Sequence, residues 1–489
     1  MTRRRPSVTP RAERRDRPAG PGPGSDPGPG ARRHGLNSHG DGPPRTGTHP
    51  RASTAVRAAP ATDIAPPVTP NLVRTEEVAS AGSLRTRTVE TLVFRGLSTP
   101  LALLLVVLQS RFLHPDGRGA FVLAVLTVTI FSRLLGQLGV AVTSRRRETP
   151  DLRGLVLRAF AIAVLAGFVG FAAIALWGGL TAGLGFRLAA LAGLALVPNV
   201  IWQTVSGVLL GLGRIRLWNV IQLLPTVLTL VGMLVLVVAL GGGVGAALAA
   251  WVGANALTAL VALVATRDLW LPPDVPPLDD PITLAIARLA VVMGAVQVVN
   301  LFSYRTELFI LNHYQGRSGV GVYSIAMQSV ESIWLVAGAL ATSITAPALA
   351  CDDRDAARLV GRTAVKGLLL TVAVAVPLAA AAPFAIPLVF GDDYKKAATS
   401  LALLLPGVVL YAPVSILVVY LSVRRGRPGL SLAVSVAGMI LTAVAALVLV
   451  PRLGGSGAAV ASSIGYAGGA ILTWWFFARV ARARLAQPA

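Results

Sequence analysis

The sequence predicts an all-α integral membrane protein. About twelve transmembrane helices form two pseudo-symmetric six-helix bundles behind a disordered N-terminal tail. Three observations predict this. Apolar runs of about 18 residues or more recur along most of the 489-residue chain. The chain is 54% hydrophobic and only 13% charged, with a mean hydropathy of +0.68. Three segments also recur in the same order six spans later, as six-helix repeats would require.

The tail comes first. Residues 1–86 hold runs such as RPAGPGPGSDPGPGARR, rich in Pro, Gly and Arg and without apolar periodicity. Such a segment cannot bury enough surface to offset its ordering entropy, so it is expected to be disordered. It has no apolar stretch followed by a small-residue cleavage site, so it does not read as a secretory signal. Its arginines suit the anionic membrane surface, and no nucleic-acid partner is expected.

The spans fall near 89–113, 119–142, 155–177, 188–211, 217–240 and 244–265, then 284–314, 320–348, 364–390, 397–422, 430–450 and 455–478. Residues 87–266 are the first lobe, 267–282 a linker, 283–480 the second lobe and 481–489 a short C-terminal tail. Basic residues concentrate in alternate loops: Arg145 to Arg147 and Arg153, then Arg214 and Arg216, then Arg354 to Lys366, then Arg424, Arg425 and Arg427. The positive-inside rule puts these loops and both termini in the cytoplasm of a multi-pass plasma-membrane protein. The linker, TRDLWLPPDVPPLDDPI, is acidic yet falls on that side; acidic residues weigh little in the rule. Arg118 and Arg317 read as solvated charges in opposite loops, and Arg158 and Arg288 as helix-end anchors.

The repeats are RGAFVLAVLTVTIF against SGVGVYSIAMQSVE, offset by 200, then LVPNVIWQTVS against LLPGVVLYAPV through Pro198 and Pro406, then LGGGVGAALAAWVGA against LGGSGAAVASSIGYA. Pro198 and Pro406 mark candidate helix bends. Two like-oriented bundles imply a cleft that opens to one side at a time, hence a carrier rather than a rigid pore.

Candidate cleft residues are the polar groups a membrane helix should avoid. A charge at the bilayer centre costs roughly 2.5–3.5 kcal/mol on insertion scales. Asn300, Tyr304 and Glu307 share one face of the seventh span with Arg305 at its flank, and Ser324, Gln328 and Glu331 align on the eighth. These charges either pair with one another or line a wet cavity. Arg95 and Arg133 add cations from the first lobe. Arginine keeps its charge and offers a planar fork suited to phosphate oxygens, so the cleft should prefer an anion with several oxygens. Glu307 and Glu331 keep a cation carrier, or ion coupling to H+ or Na+, open. Tyr304, Tyr323, Trp334 and Tyr411 are placed to stack on sugars or to pack.

No catalytic constellation, P-loop or metal-ligand spacing appears, and no cofactor is expected. The single cysteine, Cys351, excludes an intrachain disulfide and a Cys-based metal site. The Asp doublets at 279–280, 352–353 and 392–393 read as solvated loops or helix caps.

Several stretches resemble the polysaccharide flippases of the multidrug/oligosaccharidyl-lipid/polysaccharide (MOP) exporter superfamily, the fold class shared with MATE transporters. They are RFLHPDGRGAFVLAVL at 111–126, SYRTELFIL at 303–311, GVGVYSIAMQSVESIW at 319–334, FGDDYKKAATSLALLLPGVVL at 390–410 and VPRLGGSGAAVASSIGYA at 450–467. The resemblance covers about residues 85–480. It implies a twelve-helix, MATE-like, non-enzymatic exporter of an undecaprenyl-pyrophosphate-linked oligosaccharide or polysaccharide precursor. Its partners would be that lipid-linked glycan, membrane lipids and polysaccharide-assembly proteins. The motif match extends to Arg305 and Glu331; the acidic residue after YR is often Asp in the family and is Glu307 here. The extra helices usual in lipid II flippases are not seen. The alternatives are a MATE-type cation or drug antiporter of the same fold and, in another class, a membrane glycosyltransferase or polymerase. The latter would need catalytic acids in a sizeable outer loop.

Overall fold

The computed structural model describes residues 81–485 except 147, 149–150, 181–182, 272–277 and 279; for 81–93, Arg95, 179–180 and 483–485 it describes the backbone alone. The tail before residue 81, most of the linker and residues 486–489 lie outside the described residues. The described chain is helical throughout, in the order α1 (Ala81–Leu135), α2 (Leu138–Arg145), α3 (Leu152–Leu180), α4 (Phe186–Gly193), α5 (Leu196–Gly211), α6 (Ile215–Met233) and α7 (Val244–Ala265), then α8 (Pro281–Glu331), α9 (Trp334–Ala350), α10 (Asp353–Phe390), α11 (Lys396–Tyr411), α12 (Val414–Val418), α13 (Pro428–Leu453) and α14 (Gly455–Leu485).

Among the described residues, nine helical segments are long and apolar enough to cross a membrane. Two of these fold back on themselves. The Arg118 side chain reaches the carbonyl of Val106, twelve residues earlier, at 3.2 Å; along a straight helix the two would stand about 18 Å apart. Arg305 likewise meets Glu331, 26 residues on, at 2.5 Å. The reversals sit at His114 (φ 55°, ψ 174°) and Gly316 (φ 66°, ψ −171°). Sequence causes both turns. Pro115 bars the helical conformation from His114 and starts the next helix, while glycine accepts positive φ at little cost. His114 occupies a region that is otherwise nearly glycine-only, at a cost of about 1–3 kcal/mol. Counting each reversed segment as two, and adding the 31-residue α14, which is not one of the nine, gives the expected twelve among the described residues.

His114 and Gly316 are 202 residues apart, and so are the contacts beside them. A Cβ on Gly119 would overlap the Arg317 carbonyl, and one on Gly321 would overlap that of Pro115. The two bundles therefore cross backbone to backbone in a self-complementary way. The structural register is 202, not the 200 expected from sequence, because apolar periodicity alone does not fix which glycines meet. Both reversed hairpins then break again, at 136–137 and 332–333.

An apolar core runs through both bundles. Outside it, Leu165, Phe168 and Val169 on α3 and Phe384, Leu388 and Ile471 in the second half are exposed, as a hydrocarbon-facing belt requires. The end opposite the reversals carries its own set of ion pairs. Asp280 caps α8 by accepting from the Thr283 amide at 2.7 Å and takes Arg158 at 2.5 Å; Asp268 takes Arg214 at 2.6 Å; Asp353 takes both Arg424 and Arg425 at 2.8 Å. The acidic linker thus neutralises basic residues at its own end. Arg158 is more than an interfacial anchor: it ties α3 to the start of α8. Hydrogen bonds from Arg214 hold the Asp268 carboxyl below its ordinary range.

Candidate functional site

The centre of the second bundle holds the charges. Arg305 forms a bidentate pair with Glu331, Nη1 to Oε1 at 2.5 Å and Nη2 to Oε2 at 2.8 Å; Nη1 also meets the Tyr304 carbonyl at 3.2 Å and Met327 Sδ at 3.1 Å. The two side chains keep 22% and 17% of their exposure, so the pair is neither sealed nor free. A fork-to-fork pair is the strongest geometry available to these groups. The charges do pair with each other, yet part of each remains reachable.

Around this pair stand four rings. Tyr304, Trp334, Tyr411 and Tyr466 are mutually adjacent, with centroids 5.4–6.2 Å apart. The Tyr304 and Tyr411 hydroxyls lie 3.3 Å apart, and the Trp334 indole N–H donates to the Val408 carbonyl at 3.0 Å. Three of these rings were singled out in the sequence; Tyr466, in the small-residue run of α14, was not. Asn300, one helical turn before Tyr304, accepts from Ser435 Oγ at 2.5 Å.

Glu307 points elsewhere. It is fully buried, accepts weakly from the Tyr323 hydroxyl at 3.5 Å, and its Oε2 has no hydrogen-bond partner among the described residues. Tyr323 also meets Ser462 at 3.2 Å. Tyr323 lines a cavity of about 520 Å³ at the reversal end of this bundle, together with Gln315, Lys396, Thr399, Ser400 and Ser456.

The remaining candidates separate. Gln328 accepts from Arg118 at 2.9 Å and does not join Glu331. Arg133 is exposed near the end of α1 and has no hydrogen-bond or ion-pair partner among the described residues. The side chain of Arg95 lies outside the described residues. Pro198 stands in the first turn of α5, just after the break between α4 and α5, and Pro406 lies inside α11, whose break follows later, at Ala412–Pro413.

Arg118 is the residue that sequence reading misplaced. It is not a solvated loop charge. It is fully buried and spans the two bundles, donating from Nε to Ser324 Oγ (3.0 Å), from Nη2 to Gln328 (2.9 Å) and from Nη1 to Gln109 Oε1 and the Val106 carbonyl (both 3.2 Å). All four acceptors are neutral, and no carboxylate pairs with it among the described residues. Taking such an ion from water costs several kcal/mol, which good hydrogen bonding partly offsets. The missed signal was Ser324 and Gln328 on one face of the facing helix. Arg317, by contrast, is a half-exposed charge paired with Asp116 at 3.3 Å, as expected. The Asp doublets act mostly as caps and ion-pair partners: Asp352 accepts from the Asp355 amide, and Asp392 meets Lys395 at 3.0 Å.

Comparison with solved structures gives the fold. The lipid II flippase MurJ, in an inward closed conformation, superposes with a TM-score of 0.65 at 12% identity, covering 81% of this chain and 90% of that one. An inward-facing MATE multidrug resistance transporter of the MOP superfamily gives 0.62 at 18%, covering 80% and 96%. A MOP superfamily transporter from Pyrococcus furiosus, described as having a binding pocket of reversed polarity, gives 0.58 at 17%, covering 82% and 96%. The fold is therefore the MATE-like, two-bundle fold of MOP transporters. No curated protein matches the chain in sequence. Residues 108–399 match the family described as polysaccharide biosynthesis protein. That match spans more than half of the sequence, and the chain belongs to this polysaccharide biosynthesis protein family.

Proposed function

We propose that this protein is an alternating-access flippase that moves a lipid-linked oligosaccharide or polysaccharide precursor, carried on undecaprenyl pyrophosphate, across the plasma membrane. In this reading the reversal end faces outward and both termini are cytoplasmic, which the clustering of arginines at the other end supports. The observation that carries the reading is the partly exposed Arg305, held by Glu331 beside a ring cluster, in a chain of the polysaccharide biosynthesis family. Arginine supplies a fixed positive charge and a donor fork for pyrophosphate oxygens. Glu331 keeps that fork oriented and offsets its charge while the cleft is empty. Tyrosine and tryptophan faces suit sugar rings. The lipid tail stays in hydrocarbon. Arg133, exposed and without an ion-pair partner among the described residues, adds a cation from the first bundle. Assembly enzymes that build or polymerise the glycan are the fitting protein partners.

Ion coupling fits Glu307. Its buried Oε2 lacks a donor, so a proton, or a sodium ion with further oxygens, would complete the group. The same observation favours the second reading, a MATE-type cation antiporter on the same fold. The test is flipping of a fluorescent pyrophosphate-linked glycolipid in proteoliposomes. Arg305→Gln should slow it roughly a hundredfold, the ratio set by about 3 kcal/mol. No glycolipid flipping by the wild-type protein, together with efflux of a cationic dye that survives Arg305→Gln, would favour the antiporter. Repeating the assay with a proton or a sodium gradient alone identifies the coupling ion.

A further inference from the structure

The Arg118 fork is divided between the bundles in a particular way. Nη1 is anchored within the first, on Gln109 and the Val106 carbonyl. Nε and Nη2, which share one edge of the guanidinium, both donate to the second, on Ser324 and Gln328. That edge is the one that takes two oxygens of a phosphate or carboxylate side by side. Here two neutral oxygens occupy it, so the charge is solvated but not neutralised. The contacts around it are also between bundles: Arg111 donates to the Val389 carbonyl at 2.9 Å and to that of Leu388, the Tyr394 hydroxyl donates to the Ser110 carbonyl at 3.3 Å, and His114 meets Asp393 at 3.3 Å. Separation of the bundles at this end would break every one of these, while Gln109 and Val106 would keep Arg118 in place.

We infer that Arg118 is a latent oxyanion site at the exit gate: it locks the gate through Ser324 and Gln328 and, when the gate opens, presents its free edge to a pyrophosphate group. The inference rests on the flippase reading for its cargo, a lipid-borne pyrophosphate. It concerns a different residue from the Arg305 centre, and its chemistry can be tested without transport.

The probe is inorganic pyrophosphate, titrated calorimetrically against the full-length protein in detergent, with Arg305→Gln in every sample to silence the central cation. Ser324→Ala with Gln328→Ala removes the gate's neutral acceptors. It should tighten pyrophosphate binding roughly tenfold, the scale of one charge-assisted bidentate contact. Adding Arg118→Gln should abolish that gain. No tightening, or a gain that survives Arg118→Gln, overturns the site. Competition by farnesyl pyrophosphate, with equal or greater potency than the inorganic ion, marks a lipid-borne ligand; failure to compete overturns the lipid assignment. Should the double variant not fold, Gln328→Glu gives the fork a carboxylate. Spin labels at 116 and 392 should then report a gate held shut, and flipping should fall at least about tenfold, with Arg118→Gln reopening the gate. Wild-type flipping by Gln328→Glu overturns the proposal. Glycolipid movement without any pyrophosphate gain sinks the site alone, whereas the gain without glycolipid movement sinks the flippase reading alone.

Discussion

In the first bundle, Asn255 accepts from Asn199 at 3.1 Å and from the Trp202 indole at 3.0 Å, and Gln203 donates to Asn199. In the second, the tenth and twelfth spans bring Tyr411 and Tyr466 to Tyr304 and Trp334, beside the Arg305–Glu331 pair. By the register of Pro198 and Pro406, Gln203 and Tyr411 are equivalent positions. The bundles share their reversals, their glycine crossing and their helix order, yet the polar centre built on α5 and α7 of the first is a neutral amide network, while that of the second is charged and aromatic. Repetition preserved what backbone geometry demands. In the flippase reading proposed above the cargo chemistry is concentrated on one side, so the two halves should fail differently when their polar centres are removed.

The largest effect is expected at Glu331. Glu331→Gln leaves the partly buried guanidinium of Arg305 without its anion, at a cost of about 1–3 kcal/mol, so the melting temperature should drop and flipping should cease. The charge swap Arg305→Glu with Glu331→Arg should recover most of the stability but not transport, because the cation then stands on the wrong helix. Recovery of both would show that the pair is only a structural clamp and would erase the contrast between the bundles.

Next is the crossing that both bundles build. Gly321→Ala places a methyl against the Pro115 carbonyl. Backbone cannot yield as a flexible side chain can, so about 1–3 kcal/mol of strain should push the bundles apart at this end. Spin-label distances between residues 116 and 318 should lengthen, while Gly245→Ala, which meets nothing within 4 Å, should leave them unchanged. A smaller effect is expected at Asn255→Leu. It strands the Asn199 and Trp202 donors, costing about 1–2 kcal/mol, yet flipping should stay within about fivefold of wild type. A larger loss would mean the neutral network also handles cargo.

These regions differ in how far they could be read from sequence. The spans and the reversals were legible, because membrane length and Pro and Gly chemistry leave few options, whereas the pairing of Arg305 with Glu331 was one of two readings that a charge in an apolar helix left open. The register of 202 was not, since close backbone contact between Gly119 and Gly321 leaves no trace in hydropathy. Arg118 was lost for a related reason. Three residues past a proline, at the head of a helix, it looks solvated, and only the facing Ser324 and Gln328 bury it. Tyr466 was hidden in a run of small residues whose role as a helix-packing face is the commoner one.

The smallest effect concerns the joint between the bundles and sharpens the comparison through pH. The Asp280 carboxyl is pushed down to about 2 from its ordinary 3.8, first by the Thr283 backbone amide that it caps and then by Arg158. A depressed carboxyl favours the folded state when ionised. Its contribution is therefore complete above about pH 4 and fades only as pH falls through about 2. Asp280→Asn should lower the melting temperature by a constant small amount between pH 8 and pH 4, and the difference from wild type should close below that. The Asn199–Asn255 network has no titrating group, so Asn255→Leu should show a deficit that does not change with pH over the whole range. No deficit for Asp280→Asn anywhere between pH 8 and pH 4 would mean that the clasp on Arg158 and the Thr283 cap are not held in solution.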